Sequence, residues 1–357
     1  MSIINSPDFL NLPAELRALF AQSAQESFFS SAGWYDLMAR FGLETSRRVR
    51  LYCGTGKVCQ AALVCQTAAE RDGVLRGLTN AYSCEHRIII SPDADRIGVL
   101  RGLAASICGE SPAWDRVILA GLDPADPTYG IFAETLRTHG MAVQPFFDSG
   151  TWYEETGGLS FARYIAERPS VLRNTWRRKA GKADRSGELR FTFYNSLKGL
   201  EQGIADYEAV YGTSWKPDEA FPRFMPALMR MAAEMGALRL GTLQIANHIA
   251  ASQFWIVWRG KACIYKLAHD QRFDNYSPGT LLTMRMMELV LEQDRPFEVN
   301  FGRGDDPYKK LWLPKRRERW GLAAANFRTL PGFGHAVRQT LARIVRPLRR
   351  GKPRPPI

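Results

Sequence analysis

The segment that decides the fold runs from Ala262 to Trp312 and reads ACIYKLAHDQRFDNYSPGTLLTMRMMELVLEQDRPFEVNFGRGDDPYKKLW. A strand-like run, Ala262–His269, leads through Ser277-Pro278-Gly279-Thr280 into an apolar segment of helical length, Leu281–Leu291. A second strand-like run, Phe297–Phe301, ends in a polar, glycine-containing loop. This order of elements predicts a compact α/β unit that holds an activated donor beside an acceptor.

Two further strands precede this unit. The runs Leu238–Ile245, Ile249–Trp258 and Ala262–His269 are rich in apolar residues and are separated by short polar connections. Connections of this length join neighbouring antiparallel strands. The second half of the chain is therefore predicted to contain an antiparallel meander followed by a helix and a strand.

The first half shows the same order of elements. Strand candidates Val49–Cys53 and Val58–Cys65 flank Gly54-Thr55-Gly56-Lys57, a hairpin signal. Ser91-Pro92-Asp93 is then predicted to start a helix with the apolar stripe Ile97, Leu100, Ala104 and Cys108. Because both halves read as meander, Ser-Pro helix and strand, we predict a degenerate internal repeat.

The two predicted helix starts differ in charge. Asp93 and Asp95 place carboxylates at the first start, where they satisfy the helix dipole and repel phosphate. Gly279 and Thr280 leave the second start neutral, with backbone N–H groups that an anion can approach. A phosphorylated donor is therefore expected to bind the second half, and the first half is expected to be a scaffold.

Length sets the domain expectation. At 357 residues the chain exceeds the size at which a single core stops growing, so two domains are expected. The predicted boundaries are 1–150 for a first lobe, 151–325 for a second, donor-binding lobe, and 326–357 for a basic C-terminal tail.

Composition argues against a metal site and against secretion. The six cysteines form no CxxC pair and have no histidine cluster beside them, so buried thiols are expected and no metal is predicted. The N-terminus lacks a basic region followed by an apolar one, and no run reaches the length of a spanning helix. A cytoplasmic protein is the expectation.

The positive charge is concentrated at the C-terminus. Of the net charge of +12, residues 331–357 contribute seven Lys/Arg and no Asp/Glu. Val337, Leu341, Ile344 and Leu348 recur there at helical spacing with arginines between them. This pattern is typical of a helix that lies on an anionic membrane surface, and a dispensable tail is the alternative.

Several motifs together carry a family resemblance. They are YKLAHD (Tyr265–Asp270), SPGTLL (Ser277–Leu282), FGRGD (Phe301–Asp305), PYKKLW (Pro307–Trp312) and the helical segment RPSVLRNTWRRK (Arg168–Lys179). In this order they resemble the BioF/CelD-like branch of the GNAT acetyltransferases, which is related to the Fem-type aminoacyltransferases. The resemblance covers roughly residues 150–320, and a looser likeness extends over the first half.

The resemblance implies an α/β fold of two tandem GNAT-like lobes, each a mixed, largely antiparallel sheet flanked by helices. It implies transfer of an acyl group, acetyl in the simplest case, from acyl-CoA to an amine or hydroxyl, in some relatives during cell-envelope or exopolysaccharide assembly. The chain departs from the family in two places. Ser277-Pro278-Gly279-Thr280 is poorer in glycine than the usual phosphate loop, so aminoacyl-tRNA or an acyl carrier protein is an alternative donor. Asn300 stands where an acidic residue is common.

The donor-binding candidates are Ser277, Gly279 and Thr280, whose N–H groups and hydroxyls suit a pyrophosphate. The same residues also suit a simple capped helix start. Arg303 and Lys309 are candidates for donor phosphates, and a solvated basic loop is the alternative.

The catalytic candidates follow from the needs of acyl transfer. The acceptor must lose a proton and the leaving thiolate must gain one. Asp270 and Asp305 are the candidate bases and Tyr308 is the candidate acid, with His269 and His248 as alternatives. Asp305 also fits a turn on conformational grounds alone.

Three functions remain open from the sequence. The first is an acyl-CoA-dependent transferase, the second an aminoacyl-tRNA-dependent transferase, and the third a catalytically silent binding protein on the same scaffold. Base-stacking motifs are absent from the sequence, so nucleic acid is expected only if tRNA is the donor.

Overall fold

The computed structural model describes residues 2–54, 59–186 and 189–348. These residues form two compact units, one of residues 2–148 and 318–348 and the other of residues 149–317. Strand β7 (Met141–Glu155) and strand β13 (Lys315–Asn326) each have residues in both units.

The first unit is a sheet with helices against it. Its strands are β1 (Ser2–Asn5), β2 (Arg47–Cys53), β3 (Ala61–Ala68), β4 (Val74–Gly77), β5 (Ile89–Ile90) and β6 (Arg116–Leu122). Its helices are α1 (Ala14–Glu26), α2 (Ala32–Phe41), α3 (Arg96–Cys108), α4 (Pro127–Thr138) and α10 (Leu330–Leu348). The sheet order is β1-β2-β3-β4-β6-β13, in which β4 and β6 are parallel and the other pairs are antiparallel.

The second unit repeats this arrangement. Its strands are the end of β7, β8 (Leu189–Tyr194), β9 (Leu238–Ile245), β10 (His248–Trp258), β11 (Lys261–His269) and β12 (Glu298–Asn300). Its helices are α5 (Phe161–Ala166), α6 (Ser170–Ser186), α7 (Leu200–Gly212), α8 (Phe224–Glu234) and α9 (Pro278–Leu289). The order is β7-β12-β11-β10-β9-β8, with only β11 and β12 parallel. Each lobe is therefore a mixed, largely antiparallel sheet flanked by helices, as the sequence predicted.

Helix α9 is the centre of the second core. It has apolar residues on most of its surface, so it is stable only when it is buried. Leu281, Leu282, Met284, Met286 and Met287 are all at most 1% exposed. Gly241 on β9 permits this close packing, because a Cβ there would lie 2.5 Å from the Met286 sulfur.

Some local expectations were wrong. Ser91-Pro92-Asp93 forms a turn, and α3 begins only at Arg96 with Asp95 as its N-cap residue. Ile97 is 47% exposed, and Leu103 and Ile107 are buried on α3 in addition to Leu100 and Ala104. The preceding strand β5 pairs with β3, and the Ser91 N–H bonds to the Gln60 carbonyl over 2.8 Å; sequence spacing does not reveal these contacts.

Several predicted strand and domain boundaries also differ from those in the structure. The strand predicted at Val58–Cys65 begins at Ala61, as β3. Residues 55–57 of the predicted hairpin turn, and Val58, lie outside the described residues. Strand β7 continues through the predicted boundary at 150. Residues 320–325 pair with β6 in the first unit, although the sequence placed them in the second lobe. Cys84 and Cys108 are half-buried, whereas the other cysteines are buried.

A buried ion pair holds β7 against α5 in the second unit. The Arg168 Nη2 atom donates to the Glu154 Oε1 atom over 2.7 Å, and its Nε atom donates to the Tyr164 carbonyl over 3.1 Å. Arg168 also donates to the carbonyl of Trp312. Burial raises the pKa of Glu154, and the bond from Arg168 opposes this rise.

We expect Arg168→Met to lower the free energy of unfolding by about 3–5 kcal/mol at pH 7, because it leaves the Glu154 carboxylate buried without its cation. The pKa of Glu154 should then rise further above its unfolded value. Since protonation of the folded state removes the buried charge, the deficit should shrink as pH falls from 8 to 5. Urea unfolding at several pH values measures this. The exposed Arg163→Met is the control, and an equal loss in both variants contradicts the prediction.

Candidate functional site

The start of α9 presents unbonded backbone N–H groups. Ser277 adopts a left-handed conformation (φ 54°) and Pro278 occupies the first helical position. Within the described chain, the N–H groups of Gly279 and Thr280 have no acceptor, as is usual for a first helical turn. We call residues 277–280 the α9 mouth. Its residues other than Pro278 are half-buried, and N–H groups at a helix start are suited to bind an anion.

A buried glutamine fixes the orientation of the α9 mouth. The Gln253 Nε2 atom donates to the Gly279 carbonyl over 3.1 Å and to the Thr283 hydroxyl over 2.6 Å. Its Oε1 atom accepts the Trp255 indole N–H over 3.0 Å. Because Gln253 is fully buried, these bonds hold the first turn of α9 firmly on β10.

His269 lies beside the mouth. Its Nε2 atom is 3.0 Å from the Asp274 Oδ1 atom, and its ring centroid is 4.5 Å from that of Trp215. A Cβ added at Gly279 would lie 3.3 Å from the His269 Nδ1 atom. An imidazole whose Nε2–H binds Asp274 therefore turns its other nitrogen toward the α9 mouth.

Strand β11 has an open edge next to this mouth. Strand β12 pairs with it only from Lys261 to Cys263. The Asp270 N–H bonds to the Ala250 carbonyl over 2.9 Å, which fixes the alternation of the β10–β11 ladder. Along β11, residues whose backbone groups bond to β10 alternate with residues whose backbone groups point away from it. The N–H and C=O of Leu267 therefore point away from β10, toward the edge at which β12 no longer pairs.

The loop after α7 reaches this open edge. The Lys216 ammonium donates to the Leu267 carbonyl. Burial, followed by the nearby charge of Lys266, lowers the pKa of Lys216 to about 8. The charges of Lys309 and Asp306 also act on Lys216, so it lies near the loop that follows β12.

Asn300 shapes that loop. Its Nδ2 atom donates to the Glu298 Oε1 atom over 2.9 Å, and its Oδ1 atom accepts the Gly302 N–H over 3.0 Å. Glu298 in turn accepts both Nη groups of Arg317 over 2.6–2.7 Å. The Asn300 amide thus donates one hydrogen bond and accepts another. An ionised carboxylate only accepts, so it cannot form both.

Lys309 is turned inward. It is 6% exposed, and its ammonium donates to the carbonyls of Arg303 and Gly304 over 3.3 and 3.1 Å. It also pairs with Asp306 over 2.9 Å. These three partners use the three donors of the ammonium, so Lys309 holds the 302–309 loop together. Arg303 is half-buried in the same loop.

Both candidate aspartates pair with arginines. Asp270 is buried and binds Arg272 through both oxygens, at 2.6–3.1 Å, and Arg272 lowers its pKa. Asp305 binds Arg316 through both oxygens, at 2.6–3.0 Å, and Arg316 likewise lowers its pKa. Both are ionised at neutral pH and are weak bases.

The other candidates differ in their surroundings. Tyr308 is 42% exposed, its ring stands 6.1 Å from that of Phe301, and desolvation raises its pKa. His248 is exposed at the start of β10, with its ring 6.1 Å from that of Phe273. Tyr308 therefore keeps its proton at neutral pH.

The structure groups the predicted residues in two places. Ser277, Gly279 and Thr280 form the α9 mouth, whereas Arg303, Asp305, Tyr308 and Lys309 lie in the segment after β12. Sequence reasoning missed Gln253 and Lys216. A glutamine in the apolar run Ala250–Trp258 was a usable signal for the first. Lys216 gave no signal, since its role depends on a contact between distant segments.

Within the described part of the chain, no group of histidine, cysteine and acidic side chains has the arrangement of a metal site. No helix among the same residues has the length and apolar character needed to cross a bilayer.

Residues 170–310 match the acetyltransferase (GNAT) domain family. No curated protein matches the sequence significantly. Among solved structures, FemX is similar with a TM-score of 0.60 and 10% identity, over 97% of this chain and 100% of that one.

Two further solved structures share the fold. A tandem GNAT protein from the clavulanic acid biosynthesis pathway has a TM-score of 0.53 and 13% identity, over 91% of this chain and 98% of that one. The C-terminal domain of a putative lysylphosphatidylglycerol synthetase from Agrobacterium fabrum has a TM-score of 0.53 and 12% identity, over 93% and 97%. At such identities the likeness concerns the fold, which in all three extends over nearly the whole chain. The chain therefore has the fold of two GNAT-like lobes, and its residues 170–310 match the acetyltransferase (GNAT) domain family.

Proposed function

We propose that the second lobe transfers an acyl group, acetyl in the simplest case, from acyl-CoA to an amine or hydroxyl acceptor. The observation that carries this proposal is the α9 mouth standing at the end of the open edge of β11. N–H groups at a helix start suit the donor's phosphates, and an unpaired strand edge suits its amide-bearing arm. Following the family resemblance, we propose an envelope or exopolysaccharide sugar as the acceptor.

Some of the candidate side chains bind the donor in this proposal, and others transfer protons. Ser277, Gly279 and Thr280 bind the pyrophosphate, with His269 beside them because its Nδ1 atom faces Gly279. Arg303 supplies further positive charge. Lys309 contributes by holding its loop, since its ammonium is already bonded.

The chemistry needs a proton donor and a base. Tyr308 is protonated at neutral pH and donates its proton to the leaving thiolate, and its raised pKa makes it a weaker acid than a solvated tyrosine. Asp305, partly exposed beside Arg316, is the proposed base, and buried Asp270 orients the turn that precedes the α9 mouth. Because Arg316 weakens Asp305 as a base, an acceptor amine that is already neutral should react faster than one that must be deprotonated.

An aminoacyl-tRNA donor is the second candidate. Helix α6 exposes Arg177 and Arg178 on a face that also carries Val171, Asn174 and Thr175, and exposed arginines suit a polyanion. Activity that RNase removes and that CoA does not inhibit would favour this donor. A silent binding protein is excluded if the purified chain releases CoA thiol from acetyl-CoA when an acceptor sugar is present.

CoA and acetyl-CoA are expected to raise the melting temperature of the protein by mass action, and Gly279→Asp is expected to abolish the shift. The added carboxylate repels phosphate at the α9 mouth, while it interacts favourably with the helix dipole. The variant should therefore remain folded. A thermal-shift titration measures both effects, with Gly279→Asn as the control of equal size. An unchanged shift in Gly279→Asp contradicts the phosphate site.

Asn300→Asp is expected to lower the free energy of unfolding by about 1–3 kcal/mol at neutral pH, because it sets a carboxylate against that of Glu298. The repulsion should raise the pKa of the introduced carboxyl above its unfolded value, so the loss should diminish as pH falls. Urea unfolding at pH 5 and 7.5 checks this, with Asn174→Asp on the exposed face of α6 as the control. Unchanged stability combined with a gain in transfer rate would instead assign a catalytic role to this position.

We also propose that α10 contacts an anionic membrane surface. Leu330, Phe333, Val337 and Leu341 are 90%, 51%, 41% and 56% exposed and recur at helical spacing, whereas Ala336 is buried. Residues 331–357 contain seven Lys/Arg and no Asp/Glu, so the charge of this region complements acidic headgroups.

The full chain is expected to sediment with vesicles that contain phosphatidylglycerol and to remain in solution with phosphatidylcholine alone. Phe333→Glu or Leu341→Glu should reduce binding on the order of tenfold, because each removes an apolar contact and adds a repelled charge. Ala205→Glu on α7 is the control with the same change of charge. Equal binding by all variants contradicts this contact.

A further inference from the structure

The loop that follows α7 is fastened along the edge of β11. The Lys216 ammonium donates to the Leu267 carbonyl. Two neighbours extend the contact, because the Trp215 ring lies 4.5 Å from that of His269 and Glu219 accepts from Lys266 over 2.9 Å. We call residues 214–219 the α7–α8 loop.

The position of Lys216 is electrostatically unfavourable. It is half-buried, and the positive charges of Lys266 on β11 and Lys309 after β12 act against its charge, while Glu219 and Asp306 act in its favour. Within the described residues, the carbonyl of Leu267 is the only hydrogen-bond acceptor of its ammonium. Burial of a cation beside other cations is a poor source of stability, so a functional reason is the better explanation.

The Leu267 carbonyl belongs to the open edge. It points away from β10, at a position where β12 no longer pairs with β11. This is the backbone that the amide-bearing arm of the donor uses in the proposed function. Lys216 therefore occupies a hydrogen-bonding position that the donor needs.

We infer that the α7–α8 loop is a gate over the donor slot and that Lys216 is its latch. This inference rests on the proposed acyl-CoA site. Donor binding displaces the ammonium from the Leu267 carbonyl, and an amide N–H of the donor takes its place. When no donor is present, the α7–α8 loop covers the open edge of β11.

The latch should respond to pH. In the closed loop the pKa of Lys216 is lowered to about 8 because burial disfavours its charge, and release into water should restore the higher pKa of an exposed lysine. Donor binding should therefore take up protons, so CoA affinity of the wild-type chain is expected to fall between pH 7 and pH 9. The variant Lys216→Ala, which lacks the latch, should not show this fall.

Isothermal titration with CoA tests the gate on the full chain. Lys216→Ala is expected to bind CoA on the order of tenfold more tightly at pH 7, because binding no longer breaks a charge-assisted hydrogen bond. Lys216→Arg keeps a cationic donor and should bind like the wild type. Lys198→Ala, at an exposed lysine of the same lobe, should also be unchanged.

The outcomes separate the gate from the donor site. If CoA binds the wild type and Lys216→Ala binds it equally or more weakly, the gate is overturned and the acyl-CoA site stands. If neither the wild type nor Lys216→Ala binds CoA, the donor site is overturned and the gate with it. Tighter binding by Lys216→Ala together with a lost pH response supports both.

Discussion

The separation of β12 from β11 is the constraint on which the site depends. The two strands pair over only three positions, Lys261–Cys263 with Glu298–Asn300. Beyond these, β11 continues to His269 with a free edge, while the chain after Asn300 turns away. Backbone groups of a strand need partners, so a free edge inside a sheet is costly unless a side chain or a ligand satisfies it. In this chain Lys216 satisfies one carbonyl.

Most of the charged side chains near the α9 mouth and the open edge of β11 form ion pairs or hydrogen bonds that hold the surrounding loops in place. Lys309 fastens the 302–309 loop, Arg272 fastens Asp270, and Arg316 fastens Asp305. Such pairs reduce the conformational freedom of the loops that carry them. They also reduce the basicity of the two carboxylates, so the site gains rigidity at the expense of strong acid–base groups. Acyl transfer tolerates this, since a thioester is already activated and positioning supplies much of the rate.

The sequence was most informative where local pattern and tertiary structure agree. The meander of β9, β10 and β11, the helix after Ser277 and the short strand before Gly302 were all predicted, because each has its own periodicity and its own turn residues. The start of α3 was placed several residues too early, since Ser91-Pro92 has the composition of a helix start but belongs to a turn. The roles of Lys309 and Asn300 were also hidden, because a lysine and an asparagine in a polar loop have the same sequence signature whether they face solvent or bond inward.

The sequence by itself determined the repeated α/β organisation, the neutral start of α9 and the concentration of basic residues near the C-terminus, because these follow from order, periodicity and composition along the chain. Only the tertiary structure decided which groups face the opening. Gln253 meets Gly279 across two elements, and Lys216 meets Leu267 from a loop far away in sequence. Such contacts depend on strand register and on the alternation of backbone groups, and the physical reason is that neither is fixed until the sheet has assembled.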